Sequence, residues 1–136
     1  MSQSSKKILV IEDEREIREN LEELLSDKYE VIVSSGGREG LELAFKELPD
    51  VVICDVTMAG VTGHNVLTGL RSNPTTANTP FIFLTAKVSK DDVRLGMELG
   101  ADDYLTKPYT RKELFSAIDA RLKRLELQQS AGKLTH

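Results

Sequence analysis

The sequence predicts an α/β fold, a parallel five-stranded sheet sandwiched between two layers of helices. Two observations predict it. Five short apolar runs alternate with longer segments of helical period. Three of these runs are nearly all apolar and rich in Val and Ile, as strands buried on both faces are. Strand and helix repeated five times imply parallel pairing with helices on both sides.

Each element has its own signal. Ile8–Ile11 is the first strand, and Ile17, Leu21, Leu24 and Leu25 share one face of the first helix. Val31–Val33, flanked by Glu30 and Ser34, reads as a more exposed second strand. Gly36-Gly37 reads as a turn without the spacing of a dinucleotide fingerprint. Leu41, Ala44, Phe45 and Leu48 line the second helix, which Pro49 ends. Val51–Cys54 is the third strand. Val66, Leu67 and Leu70 mark a helix that stops before Asn73-Pro74, and residues 73–79 form a polar loop. Phe81–Leu84 is the fourth strand. Ser89, with Asp92 three residues on, opens a helix carrying Val93 and Met97. Tyr104–Leu105 is a weaker fifth strand. Thr110 and Glu113 form a capping-box pattern ahead of Leu114, Ala117, Ile118, Leu122 and Leu125. Residues 1–127 thus read as one domain. Residues 128–136 lack apolar periodicity and read as a frayed end or the start of a linker.

Right-handed crossovers leave few strand orders. The flavodoxin-like order 2-1-3-4-5 is the common five-stranded choice, and its ligand crevice lies at the carboxyl ends of strands one and three. Composition narrows the function classes. The chain has 136 residues, of which 40% are hydrophobic, enough for one domain that buries roughly 70% of its unfolded surface. Lys plus Arg is 18 and Asp plus Glu is 22, a net charge of −4. That argues against direct nucleic-acid binding, which normally shows a basic excess. The single Cys54 excludes an intrachain disulfide, and with only two distant His it disfavours structural zinc. No apolar run approaches the roughly 18 residues of a membrane span. The start has no signal-peptide core, so the reading is a reducing, cytoplasmic compartment.

The polar residues at strand ends carry the functional argument. Glu12 and Asp13 end strand one, Asp55 ends strand three, Thr85 ends strand four, and strand five runs into Lys107-Pro108. All fall on the carboxyl edge. At about 4 Å and an effective dielectric near 20, each pair of carboxylates repels by roughly 4 kcal/mol. Lys107 supplies one offsetting charge. A divalent cation is the natural other, and carboxylate donors without His or Cys favour magnesium. Magnesium leaves room for a phosphoryl oxygen, so phosphoryl transfer with Asp55 as nucleophile is the leading chemistry. Lys107 would neutralise developing charge, and Thr85 would donate a hydrogen bond.

Four segments, residues 8–14, residues 55–60 with Gly63, residues 81–86 and residues 100–108, together resemble the receiver domain of two-component response regulators. The resemblance runs from about Lys7 to Arg124. It implies that Asp55 accepts a phosphoryl group from a sensor histidine kinase or phosphotransfer protein. It implies a magnesium site from Asp13, Asp55, the Thr57 carbonyl and, through water, Glu12. Thr85 and Tyr104 resemble a switch pair, and Lys107 pairs with the phosphoryl group ahead of a commonly cis bond to Pro108. Thr57 and Lys87 occupy positions that tune phosphoryl lifetime. Phosphorylation would switch the face of the fourth helix, fifth strand and fifth helix toward a downstream protein or a fused output domain. Turnover is then slow self-dephosphorylation, not enzymatic catalysis.

Departures and plainer readings stand beside this. Glu12 replaces the commoner Asp, and Ala59 stands where many members have Pro. Tyr109 keeps an aromatic after Lys-Pro. Ala117 replaces the mid-helix basic residue of receivers that dimerise through this face. Asp13 can cap the first helix, with Glu16 three residues on. Cys54 reads as a buried hydrophobe, His64 as a surface residue, and Glu22-Glu23, Arg121, Lys123 and Arg124 as solvated helix faces. A haloacid-dehalogenase-type phosphatase would need an acid where Thr57 stands. A receiver-like scaffold that is never phosphorylated would not need the intact acid, hydroxyl and lysine set.

Overall fold

The computed structural model describes residues 5–86 and 89–134, with side chains as far as residue 127. Strands and helices alternate as β1 (Lys7–Ile11), α1 (Arg15–Ser26), β2 (Glu30–Ser34), α2 (Gly37–Glu47), β3 (Val51–Cys54), α3 (Gly63–Arg71), β4 (Phe81–Thr85), α4 (Lys90–Glu98), β5 (Asp103–Thr106) and α5 (Arg111–Leu134). All neighbouring strands are parallel, in the expected order β2-β1-β3-β4-β5.

Alternation along the strands divides the interior into two cores. Ile8 and Val10 of β1 meet Leu21 and Leu25 of α1 and Leu114, Ile118 and Leu122 of α5. Leu9 and Ile11 point the other way, to Ala44 of α2 and Val66, Leu67 and Leu70 of α3. Burying each such side chain contributes about 1.5–3 kcal/mol. The central strands β3 and β4 are buried throughout, which is why they read as unbroken apolar runs. At the sheet edge, β2 has Glu30 exposed and Val31–Val33 half-buried, matching its mixed sequence.

The stop and start signals are structural. Leu48 caps α2 in the left-handed conformation at φ 48°, immediately before Pro49. Residues 73–79 turn around Thr76, whose buried hydroxyl donates to the Leu70 carbonyl at 2.7 Å. The Ser89 hydroxyl accepts from the Asp92 amide. Thr110 and Glu113 exchange bonds at 3.0 and 2.8 Å, completing the capping box.

Three expectations change, and α5 runs further than its apolar periodicity. Asp13 does not cap α1: Glu14 is the N-cap residue, and it makes no side-chain capping bond. The segment 128–134 has helical backbone, continuous with α5. No proline interrupts that stretch, and its Gln, Ala, Lys and Leu residues propagate a helix already nucleated. His64 is half-buried, with its ring 5.1 Å from that of Phe83 and its Nε2 enclosed, because the first turn of α3 lies against β4. Arg121 is half-buried and donates to the Asp102 carbonyl at 3.4 Å. Cys54 is fully buried, as expected, and burial pushes its thiol pKa well up. No described helix is long and apolar enough to cross a membrane.

Candidate functional site

Parallel register brings the candidate residues together. Ile11 of β1 pairs with Cys54 of β3, so the next residues, Glu12 and Asp55, leave the sheet side by side. The Asp55 amide donates to the Ile11 carbonyl at 3.1 Å. On the far side, Thr85 pairs with Thr106, and the Lys107 amide donates to the Thr85 carbonyl at 2.9 Å. Lys107 therefore starts next to Thr85 and reaches back across two strands.

Its ammonium ends between two acids. Lys107 Nζ lies 3.0 Å from Asp55 Oδ2 and 3.2 Å from Glu12 Oε1. The remaining carboxylate oxygens take backbone donors. Asp55 Oδ1 accepts from the Thr57 amide at 3.1 Å, and Glu12 Oε2 accepts from the Glu14 amide at 3.1 Å. Glu12 is 2% exposed, Asp55 8% and Thr85 1%. Asp55, Thr85 and Lys107 border an open cleft of about 420 Å³, lined also by Thr57, Glu14 and Ile17. The Lys107–Pro108 bond is cis, as expected.

Electrostatics follow from this placement. Burial raises the Glu12 pKa, against the Glu14 amide and Lys107, which favour its ionised form. Burial disfavours the charged Lys107, but the hydrogen bonds and charges of Asp55 and Glu12 outweigh it, and the ammonium pKa is raised. Lys107 is thus firmly cationic between two acids.

Gly63 shapes the other wall. Its amide donates to the Val56 carbonyl at 2.9 Å. A Cβ on Gly63 would collide with the Asp55 carbonyl oxygen and sit 2.9 Å from Val56 Cα. Only glycine lets α3 start this close to the residue carrying the carboxylate. Tyr104 is half-buried on β5, with its ring 5.5 Å from Phe83. Burial, then the charges of Asp92 and Asp55, raises its phenol pKa.

Asp13 stands apart from the other two acids. It is exposed, and its Oδ2 accepts from the Ala59 amide at 3.4 Å. Among the described residues no three acidic, His or Cys side chains form a ready metal cluster. Glu12 and Asp55 share one ammonium, and Asp13 joins the same edge from the loop after β1. Lys107 draws Glu12 and Asp55 to itself, while Asp13 lies beside the loop that follows Asp55. The donors still suit magnesium, being hard oxygens, because that ion takes one or two carboxylates and keeps several waters. Lys87 lies outside the described residues.

Sequence reasoning missed Arg18. Its Nη1 donates to the Glu12 carbonyl at 2.9 Å and the Asp13 carbonyl at 3.4 Å. Helical spacing was the available signal, since Arg18 lies one turn beyond Glu14, next to the acidic loop.

Residues 8–119 match the family described as response regulator receiver domain. The chain belongs to that family. Solved structures agree. A response regulator receiver domain protein from Clostridium thermocellum is 36% identical, with a TM-score of 0.85 over 90% of this chain and 98% of its own. The chemotaxis protein CheY4 of Vibrio cholerae is 32% identical, with a TM-score of 0.83 over 88% of this chain and 100% of its own. The signal receiver domain of a signal transduction histidine kinase from Syntrophus aciditrophicus is 32% identical, with a TM-score of 0.77 over 88% of this chain and 91% of its own. Receiver domains are typically signal transducers, not enzymes; they generally bind magnesium and work with histidine kinases and output or partner domains.

Proposed function

We propose that this receiver takes a phosphoryl group onto Asp55 from a phosphohistidine of a kinase or phosphotransfer protein. The observation that carries the reading is the Lys107 ammonium bridging Asp55 and Glu12 at the open carboxyl edge. Asp55 Oδ attacks phosphorus. The P–N bond to the donor imidazole breaks as the P–O bond of an acyl phosphate forms. The imidazole nitrogen leaves with the electron pair and takes up a proton.

Each residue has a task. The Thr57 amide on Oδ1 and the Lys107 ammonium on Oδ2 orient the Asp55 carboxylate. Lys107 then pairs with a phosphoryl oxygen. The Thr85 hydroxyl donates to another and forms the switch pair with Tyr104. Asp13, Asp55 and the Thr57 carbonyl would hold magnesium, with Glu12 acting through water. When bound, the ion neutralises charge on the phosphoryl oxygens. Thr57 and Lys87 set how slowly the acyl phosphate hydrolyses. The product biases the face of α4, β5 and α5 toward a downstream protein or fused output domain. Residues 128–134 continue α5 outward and suit the start of such a linker. The cytoplasm, where kinase phosphohistidines form, is the matching compartment.

Incubation with magnesium and a small acyl phosphate should label the wild type stoichiometrically and leave Asp55→Asn unlabelled. Equal labelling of both proteins overturns the assignment.

A further inference from the structure

The loop between β1 and α1 carries two of the three acids, yet like the start of α2 it lacks the side-chain cap that fixes α3, α4 and α5. Thr62, Ser89 and Thr110 cap α3, α4 and α5 with side-chain hydrogen bonds. Glu14, at the same place on α1, makes none. The Glu12 amide is held by the Ser34 carbonyl at 3.0 Å, which leaves the carbonyls of Glu12 and Asp13 to be fixed, because a ligand loop free to move presents its carboxylates poorly.

Arg18 is the group in place. It is half-buried in the second turn of α1, with its own amide bonded to the Glu14 carbonyl at 2.9 Å. Its guanidinium turns back, and one nitrogen, Nη1, contacts the carbonyls of both acidic residues, at 2.9 and 3.4 Å. No ion pair with an acidic side chain accompanies these bonds among the described residues. The charge is spent on main-chain oxygens, next to residues that bear the carboxylates.

We infer that Arg18 is a positioning residue for the cation site: it clamps the Glu12 and Asp13 carbonyls so that the two carboxylates stay presented to magnesium. This rests on the receiver reading of the site. Charge and positioning make opposite predictions. Arg18 is a cation beside a cation site, so on charge alone its removal strengthens magnesium binding. As a clamp, its removal weakens binding, as losing a group that orients a metal ligand does.

Titration calorimetry with magnesium chloride, together with amide hydrogen exchange, separates the two. Arg18→Gln is expected to bind magnesium roughly tenfold more weakly. Its Glu12–Arg15 amides should exchange faster, while the exchange of β3 and β4 is unchanged. Arg18→Lys keeps the charge and the helix but not the reach, and should fall between Gln and wild type. If Arg18→Gln does not fold, Arg18→Lys decides alone. Affinity equal to or tighter than wild type in the folded variant overturns the inference while the receiver reading stands. A wild type that takes no magnesium overturns the reading itself, and the inference with it.

Discussion

The two edges of the sheet each hold a partly buried ion pair, and the pairs differ in what they leave over. At the amino edge, Arg71 meets Asp102 at 3.2 Å. Arg71 also donates to the Gly100 carbonyl at 2.8 Å and the Thr79 carbonyl at 2.7 Å. Asp102 Oδ2 accepts from the Phe81 amide at 2.8 Å as well. One positive charge meets one negative charge, and the bonds tie α3, β4 and the start of β5 together. At the carboxyl edge one ammonium serves two carboxylates, with Asp13 exposed nearby and a cleft open to solvent. The same chemistry is balanced in charge at one end and, although its acids are the more buried, short of positive charge at the other. The shortfall lies at the edge to which the proposed function assigns a cation and a phosphoryl group.

If that contrast holds, disturbing the balanced pair should cost far more stability. Arg71→Met leaves Asp102 and two carbonyls without their donor, and should lower unfolding free energy by about 3 kcal/mol. Urea denaturation measures this, and a loss under about 1 kcal/mol would break the comparison. The open edge should instead respond to a cation. Magnesium at about ten times its dissociation constant should stabilise the wild type by about 1.4 kcal/mol, read as a raised melting temperature. Arg71→Met should gain the same increment, since its defect lies at the other edge.

A smaller effect separates the loops of the carboxyl edge from one another. Thr110→Ala removes a working cap and should cost about 1 kcal/mol, whereas Glu14→Ala should cost about zero, both measured by denaturant unfolding. Equal losses would mean that α1 is capped like α5. The smallest change is expected at the proposed phosphoacceptor, Asp55. Asp55→Asn removes one of two acids sharing one lysine, so stability without magnesium should shift by no more than about 0.5 kcal/mol, with a gain favoured over a loss. A loss beyond about 2 kcal/mol would make the Lys107 pair as structural as Arg71–Asp102.

Much of this molecule was legible in its residues. Runs such as Val51–Cys54 name their strand because both faces are buried, and the Thr110–Glu113 spacing names the start of α5 because capping is a contact three residues long. The clustering of Glu12, Asp55, Thr85 and Lys107 was legible through fold order, since parallel strands deliver their ends to one edge. His64 was misread because its environment is Phe83 on β4, nineteen residues along the chain from its place in α3. Helical spacing put Arg18 near the acidic loop, but its contact with the Glu12 carbonyl was not legible, because a charged residue on an amphipathic helix looks solvated until its guanidinium is seen folded back.

The sequence by itself determined the order of elements, the caps of α4 and α5 and the set of polar residues at the strand ends, because these depend on periodicity and short-range bonding. The tertiary structure decided the partners. It placed Lys107 between acids 52 and 95 residues away, and left Asp13 exposed, turned to the Ala59 amide. It matched Arg71 to Asp102 across 31 residues. A charge has no partner preference written in its neighbours; it is settled by whichever opposite charge the folded backbone brings within about 4 Å, where Coulomb attraction outlasts solvent screening.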